Sequence, residues 1–397
     1  MTRTTGISLF GDRPLGLAAA SVRDHRELAR RRLPRQLFDY IDGGAYEEAT
    51  MRANESQLRS IRLRQRVMRD VSELNTSTEV FGSQLRVPVA LGPVGLGGML
   101  ARRAEVQAAQ AAEAFGVPFC ESTVSICSME EVARETSRPF WYQLYVMKDR
   151  SFAEDLMARA AAVGCELLVL TVDFPVVGER YRDARNGMTV PVGPAGRIAR
   201  AVDLGRHVGW VRDVGLGGRP LTFGNLEDAV PGASSPEDFK GWVDSQFDAS
   251  VSWDDLAWVR QHWDGPVVIK GVLDPEDAAT AVGIGVDGVV VSNHGGRQLD
   301  DTVSTIEALP AVVDAVGDDA TVLFDGGIRS GLDVLKALAL GAQAVLLGRA
   351  WAWAVAGGGR EGVAHVLDTI EAELRVAMAL CGATDVNSLD PSILVER

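Results

Sequence analysis

The chain has little cysteine and little histidine for its 397 residues. Its four cysteines, Cys120, Cys127, Cys165 and Cys381, form no C-x-x-C pair and stand at no metal-finger spacing to the five histidines. They read as reduced core or pocket thiols, and no metal is expected. No run of 18 apolar residues occurs, and residues 1–20 lack an apolar segment followed by a cleavage pattern. Neither a membrane span nor a secretory leader is expected. Basic residues are outnumbered 40 to 54, for a net charge of -14. Nucleic-acid affinity rests on clustered Lys and Arg, so small molecules are the better class of partner.

What the chain does have is a 46% hydrophobic content arranged in short runs. Eight of them end in polar residues or glycine: 87–95, 117–123, 140–146, 166–173, 266–272, 288–294, 321–327 and 344–349. Continuous apolar runs suit strands buried on both faces, as in a parallel sheet covered by helices. Between them lie alanine-rich stretches such as "SFAEDLMARAAAVG" and "SGLDVLKALALG", each closing on a glycine suited to a left-handed cap. The pattern predicts an α/β fold, a (β/α)8 TIM barrel at about 86–385. A long insertion rich in Gly, Pro and Trp follows the fourth strand at about 189–252, and residues 1–85 form an N-terminal helical segment. No linker composition divides the chain, so residues 1–397 read as one domain with decorations.

Barrel enzymes gather their chemistry at the C-terminal ends of the strands. There the sequence places Gln143, Tyr145, Thr171, Asp173, Lys270, His294, Arg297, Asp325, Gly327, Arg329, Gly348 and Arg349. "DGGIRSG" and "LLGRA" close the seventh and eighth runs with glycines, helix starts and two arginines, a set able to hold a phosphate dianion; the bland alternative is that the glycines only make tight turns. Lys270 ends "PVVIK" in an apolar mouth, where an ammonium needs an anionic partner. His294 is a candidate general base, oriented by Asp173, and Arg297 with Arg180 offers planar forks to a carboxylate. Two motifs lead elsewhere. "GIGVDG" (283–288) leads from a helix into a strand, the reverse of a dinucleotide fingerprint, and "GGG" (357–359) reads as a hinge between helices.

With "SNHGGRQLD", "QLYVMKDR", "LTVDFP", "VIKGV" and "DGGIRSGLDVLKALALGA" in place, the sequence from about Leu33 onward resembles the FMN-dependent L-2-hydroxy acid dehydrogenase and oxidase family. "DYIDGGAYEEATMRAN", "GERYRDARNGM" and "FDASVSWDDL" look closest to the respiratory, quinone-linked L-lactate dehydrogenases. The resemblance implies FMN as cofactor, a small 2-hydroxy acid as substrate, a membrane quinone as acceptor and a homotetramer. It implies that Tyr40, Arg297 and Arg180 hold the substrate carboxylate, that Tyr145 bonds its hydroxyl, and that His294 with Asp173 takes the proton. Flavin contacts fall on Pro93, Val94, Gly95, Ser122, Gln143, Thr171, Lys270 and Ser292. The ribityl and phosphate contacts fall on Asp325, Gly326, Gly327, Arg329, Gly348 and Arg349. Lys270 would stabilise the reduced ring at its N1–C2=O edge.

Two departures stand out: "LGPVG" has glycine where alanine commonly precedes the proline, and Glu121 replaces a commoner apolar residue, either touching the flavin or facing outward. The residues before Asp24 have no family role. The insertion segment 196–219 carries five arginines against two aspartates, with Trp210 and spaced apolar residues. A cytoplasmic protein is expected; either this segment lies on an anionic membrane, making the protein peripheral at the inner face, or it is a solvated loop over the barrel. The competing functions are an oxygen-using mandelate-like or glycolate-like oxidase and a non-catalytic phosphate-ligand barrel.

Overall fold

Every one of the eight apolar runs contains a strand, and the eight strands form one parallel sheet. The computed structural model describes residues 18–229 and 245–395; residues 1–17 of the N-terminal segment and 230–244 of the insertion lie outside the described residues. The barrel strands are β3 (Val89–Leu91), β4 (Cys120–Ser122), β5 (Trp141–Tyr145), β6 (Leu167–Thr171), β7 (Val267–Val272), β8 (Gly288–Val291), β9 (Thr321–Phe324) and β10 (Ala344–Leu347). β10 pairs with β3, and a single bridge, Leu91 to Phe119, joins β3 to the chain entering β4. The barrel is thereby nearly closed.

Strand side chains alternate between two environments, and the alternation places the site. Ala90, Cys120, Trp141, Val169, Val268, Val290, Leu323 and Leu346 point into the barrel and pack as one apolar layer. Two residues further along the same inward rows come Gly92, Ser122, Gln143, Thr171, Lys270, Ser292, Asp325 and Gly348. The interior therefore changes from apolar to polar within one pleat. Outward residues such as Tyr142, Leu168, Ile269 and Val289 belong to the larger core under the helices.

The N-terminal segment requires a correction. Its helices α1 (Val22–Arg32), α2 (Arg35–Asp42) and α3 (Ala49–Ser60) are present, but it ends in an antiparallel hairpin, β1 (Thr78–Val80) and β2 (Ser83–Leu85), rather than in helix. Phe81 and Gly82 form its two-residue turn, both at positive φ, as such a turn requires. Val80, Leu85 and Phe81 plug the floor of the barrel, with Phe81 edge-on to Trp141 at 6.2 Å.

Helix-closing glycines 116, 164, 285 and 341 are all left-handed. Gly285 makes the turn from a helix into β8, and Gly359 kinks the helix Arg349–Cys381 at φ 60°, ψ -149°. The chain between β6 and β7 carries a short helix, Tyr181–Arg185, the helix Pro194–Arg206, a wide π-type turn, Val211–Leu216, and then the barrel helix Trp253–His262. Trp210 is not part of an outer apolar face: it is 8% exposed and donates its indole N–H to the Met99 carbonyl at 2.8 Å.

Candidate active site

The loop after β8 turns on three consecutive positive φ values, at His294 (56°), Gly295 (65°) and Gly296 (72°). A Cβ at 295 would meet the Arg349 guanidinium at 2.7 Å, and one at 296 would meet the Met51 backbone at 2.5 Å. The glycines therefore let a crowded, left-handed loop fold back over the barrel mouth, and His294 carries the strain that a non-glycine residue bears there. Its N–H donates to Ser292 Oγ at 3.1 Å. Its Nδ1 lies 3.0 Å from Asp173 Oδ1, leaving Nε2 for the cavity.

Burial pulls the imidazole pKa below its ordinary 6.5, against the pull of the Asp173 carboxylate. Burial opposes the charge of Asp173 too, but His294 and then Lys270 hold that carboxyl below its ordinary value. The result at neutral pH is a neutral imidazole backed by a carboxylate, which is a base whose protonated form is stabilised as it forms. Gly271 makes room for this arrangement. It sits at φ 110° in a register shift of β7, and a Cβ there would strike Asp173 at 2.5 Å.

Two arginines face the same space. Arg297 stacks on the Tyr40 ring at 5.0 Å and donates to the carbonyls of Tyr40 (2.6 Å) and Gly43 (2.8 Å). Burial, and next the charge of Arg297, push Arg180 down to about 10; Asp183 lies 3.9 Å away. Like charges held this close in a buried wall call for an anion between them. Tyr145 is 9% exposed, and burial raises its phenol pKa, so it remains an O–H donor.

Deeper in the mouth, Lys270 Nζ contacts Asp325 Oδ2 at 2.9 Å and donates to Ser292 Oγ at 2.9 Å, while Ser292 donates to Asp325 Oδ1 at 2.7 Å. Burial disfavours the ammonium, yet Asp325 and Asp173 outweigh it and raise the lysine pKa. Ser122 donates to Gln143 Oε1 at 3.1 Å, whereas Gln143 Nε2 is buried with no partner. The Nε atoms of Arg329 and Arg349 are likewise buried without one. Burial, then Arg297 and Arg329, push Arg349 down to about 9. Gly326 and Gly327 are left-handed, and a Cβ at 327 would strike the Asn54 carbonyl at 2.7 Å. These orphaned donors, the arginine pair and the helix starting at Arg349 fit a phosphorylated ring cofactor with a hydrogen-bonding edge.

All of the residues expected at the site line one cavity of about 590 Å³ except Asp173 and Ser292, which stand behind His294 and Lys270. Glu121 is not among them: it faces outward from β4 toward Asn225, and burial, then Glu105, hold its pKa well above the ordinary value. Sequence reasoning missed two groups. Phe174 and Phe247 pack at 4.5 Å and wall the space beside Tyr145 and His294. Asp42 holds Arg26 in a bidentate pair (2.6 and 2.7 Å) and Arg182 at 2.8 Å, tying the end of α2, with Tyr40, to the helix after Arg180. The first had a signal, since Phe174 follows Asp173 directly; the second had none beyond its place in "DYIDGG".

The family model for FMN-dependent dehydrogenases matches residues 29–396. A protein of Caulobacter vibrioides named L-lactate dehydrogenase is 57% identical over 381 residues, covering 96% of this chain and 99% of that protein. One of the same name from Alcaligenes faecalis is 52% identical over 378 residues, covering 95% and 99%. The crystal structure of the monotopic membrane protein (S)-mandelate dehydrogenase superposes with a TM-score of 0.90 at 37% identity, covering 96% of this chain and all of that one. Mandelate oxidase with (S)-4-hydroxymandelic acid gives 0.81 at 38% identity, covering 95% and 98%. Among the described residues no helix is long and apolar enough to cross a membrane. The chain belongs to the family of FMN-dependent dehydrogenases, enzymes built on this barrel with flavin mononucleotide as their cofactor.

Proposed function

We propose that the protein oxidises L-lactate to pyruvate and passes the electrons to a membrane quinone. The observation that carries this reading is the neutral His294, paired with Asp173 at 3.0 Å, in one cavity with Arg297 and Arg180. Bound FMN supplies a two-electron acceptor. Arg297 and Arg180, with Tyr40, hold the carboxylate of the 2-hydroxy acid; Tyr145 donates to its hydroxyl. His294 Nε2 takes the proton, and Asp173 stabilises the imidazolium so formed. The same residues serve a hydride or a carbanion route.

Lys270 would answer the negative charge of the ring on reduction, Asp325 would bond the ribityl hydroxyls, and Ser122, Gln143, Thr171, Ser292 and the turn Pro93–Gly95 would hold the ring. Gly326, Gly327, Arg329, Gly348 and Arg349 would take the phosphate. Lactate is favoured by the names of the relatives. Contact with an anionic membrane surface is supported by exposed Ile198, Val202, Val208 and Leu216 set among the arginines of 196–219. The proposal extends to a homotetramer, as the family resemblance implies, which light scattering on the purified protein checks.

Anaerobic mixing with L-lactate, L-mandelate and glycolate in turn tests the substrate. L-Lactate should bleach the flavin fastest; faster bleaching by L-mandelate would overturn the choice. The likeness to mandelate oxidase favours a second reading, with oxygen as acceptor. Hydrogen peroxide output in excess of quinone reduction would select it.

A further inference from the structure

The cavity is lined by two unlike kinds of side chain. One is the polar set of His294, Arg297, Arg180 and Lys270; the other is an apolar wall of Leu37 and Ile41 of α2, Met99, and Leu204, Trp210 and Phe223 of the insertion. The reaction of the polar set gives this wall nothing to do, since a short hydroxy acid with a carboxylate binds through charge. Trp210 fixes the apolar wall by its bond to the Met99 carbonyl, and its ring is 8% exposed.

Leu204 belongs to two surfaces at once. It lines the cavity, yet it is 44% exposed, and it stands one turn from Arg200 on the helix Pro194–Arg206. The lip of the cavity there is thus open to the outside past an apolar side chain. At that lip stand two polar cavity residues, Arg200 and Gln36, joined at 2.9 Å. Apolar pockets with a few placed donors are the form that small ring ligands require.

We propose that this apolar wall carries the binding site of the quinone ring, entered past Leu204, with Arg200 at the lip as the donor to a quinone carbonyl. The inference rests on the quinone reading of the acceptor and adds the place where it binds. The balance closes: the 2-hydroxy acid loses two electrons and two protons as its C–H and O–H bonds become a C=O. The quinone gains two electrons and two protons at its carbonyl oxygens and leaves as the quinol. A ring with a carbonyl acceptor and an apolar tail fits a lip that sets Arg200 beside Leu204.

The test isolates the second half-reaction. Holoenzyme reduced by dithionite titration is mixed in detergent with decylubiquinone or with ferricyanide, and reoxidation of the flavin is followed. Leu204→Trp, which fills the lip at a half-exposed position, should slow reoxidation by decylubiquinone about tenfold and leave ferricyanide unchanged. Val376→Trp, exposed on the helix Arg349–Cys381 and outside the cavity, should change neither. Equal slowing by both variants, or none by Leu204→Trp, overturns the site. An arylazido quinone photolysed on the dark holoenzyme should label peptides holding Met99, Leu204 or Trp210, and labelling confined to other peptides also overturns it. Because lactate takes no part, failure of the lactate reading appears separately, as flavin that L-lactate does not bleach.

Discussion

The two ends of the barrel are built on the same strands and obey opposite rules. At the floor, Val80, Leu85, Trp141, Val169, Val268 and Val290 pack with almost no exposure, and the hairpin seals them from below. At the mouth, two residues further along, there are left-handed His294, unpartnered Gln143 Nε2 and Asp173 Oδ2, and arginines whose pKa values burial drags down. Of the two ends, the mouth carries the orphaned polar atoms and the buried cations, and the apolar floor offsets their cost.

Substitutions should therefore separate the two ends. At the mouth, His294→Ala should lower the rate of flavin reduction about 100- to 10,000-fold while the protein stays folded and yellow, measured by stopped-flow absorbance and the visible spectrum. At the floor, Trp141→Ala should cost about 3–5 kcal/mol of stability, read from denaturant unfolding, with the flavin reduced at a near-normal rate wherever the protein remains folded. Arg349→Ala should weaken FMN by about 1.5–3 kcal/mol, seen as raised Kd in apoprotein titration, because the charged hydrogen bonds of one guanidinium are lost.

Smaller effects sharpen the contrast. The imidazole must be neutral to act, and its pKa lies below 6.5, so kcat/KM should hold on a plateau at neutral pH and fall as pH drops through that depressed value. Asp173 raises the imidazole pKa, so Asp173→Asn should move this acid limb to lower pH as well as lowering the plateau. Glu121 sits on the outer face of β4, its pKa raised by burial, and Glu121→Gln should leave the flavin reduction rate and its pH profile as they are.

The site was legible in the sequence because the strand period is two. Once a run such as "PVVIK" is a buried strand, an inward Val268 makes Lys270 inward as well, and the same count places Gln143, Thr171, Ser292 and Asp325. The glycines after His294 were legible for a similar local reason. What escaped depends on contacts distant in sequence or on elements too short to show a period. The hairpin strands have three residues each, and nothing in "TEVFGSQL" announces that they close a barrel floor. Asp42 and Arg182 meet across 140 residues. The sequence groups Trp210 with the arginines of 196–219, a segment open to a membrane or a solvated-loop reading, and only packing on Met99 turns the indole inward. The orientation of Glu121 was open for want of the register, which pairs it with outward Tyr142.

The most direct test is a single anaerobic mixing of L-lactate with the wild-type holoenzyme and with His294→Ala, each carrying FMN, followed at the flavin absorbance band. The wild type should bleach quickly and the variant hardly at all. Bleaching of the variant at the wild-type rate, or wild-type protein that binds FMN and keeps its colour, would contradict the assignment of His294 as the base of a 2-hydroxy acid oxidation.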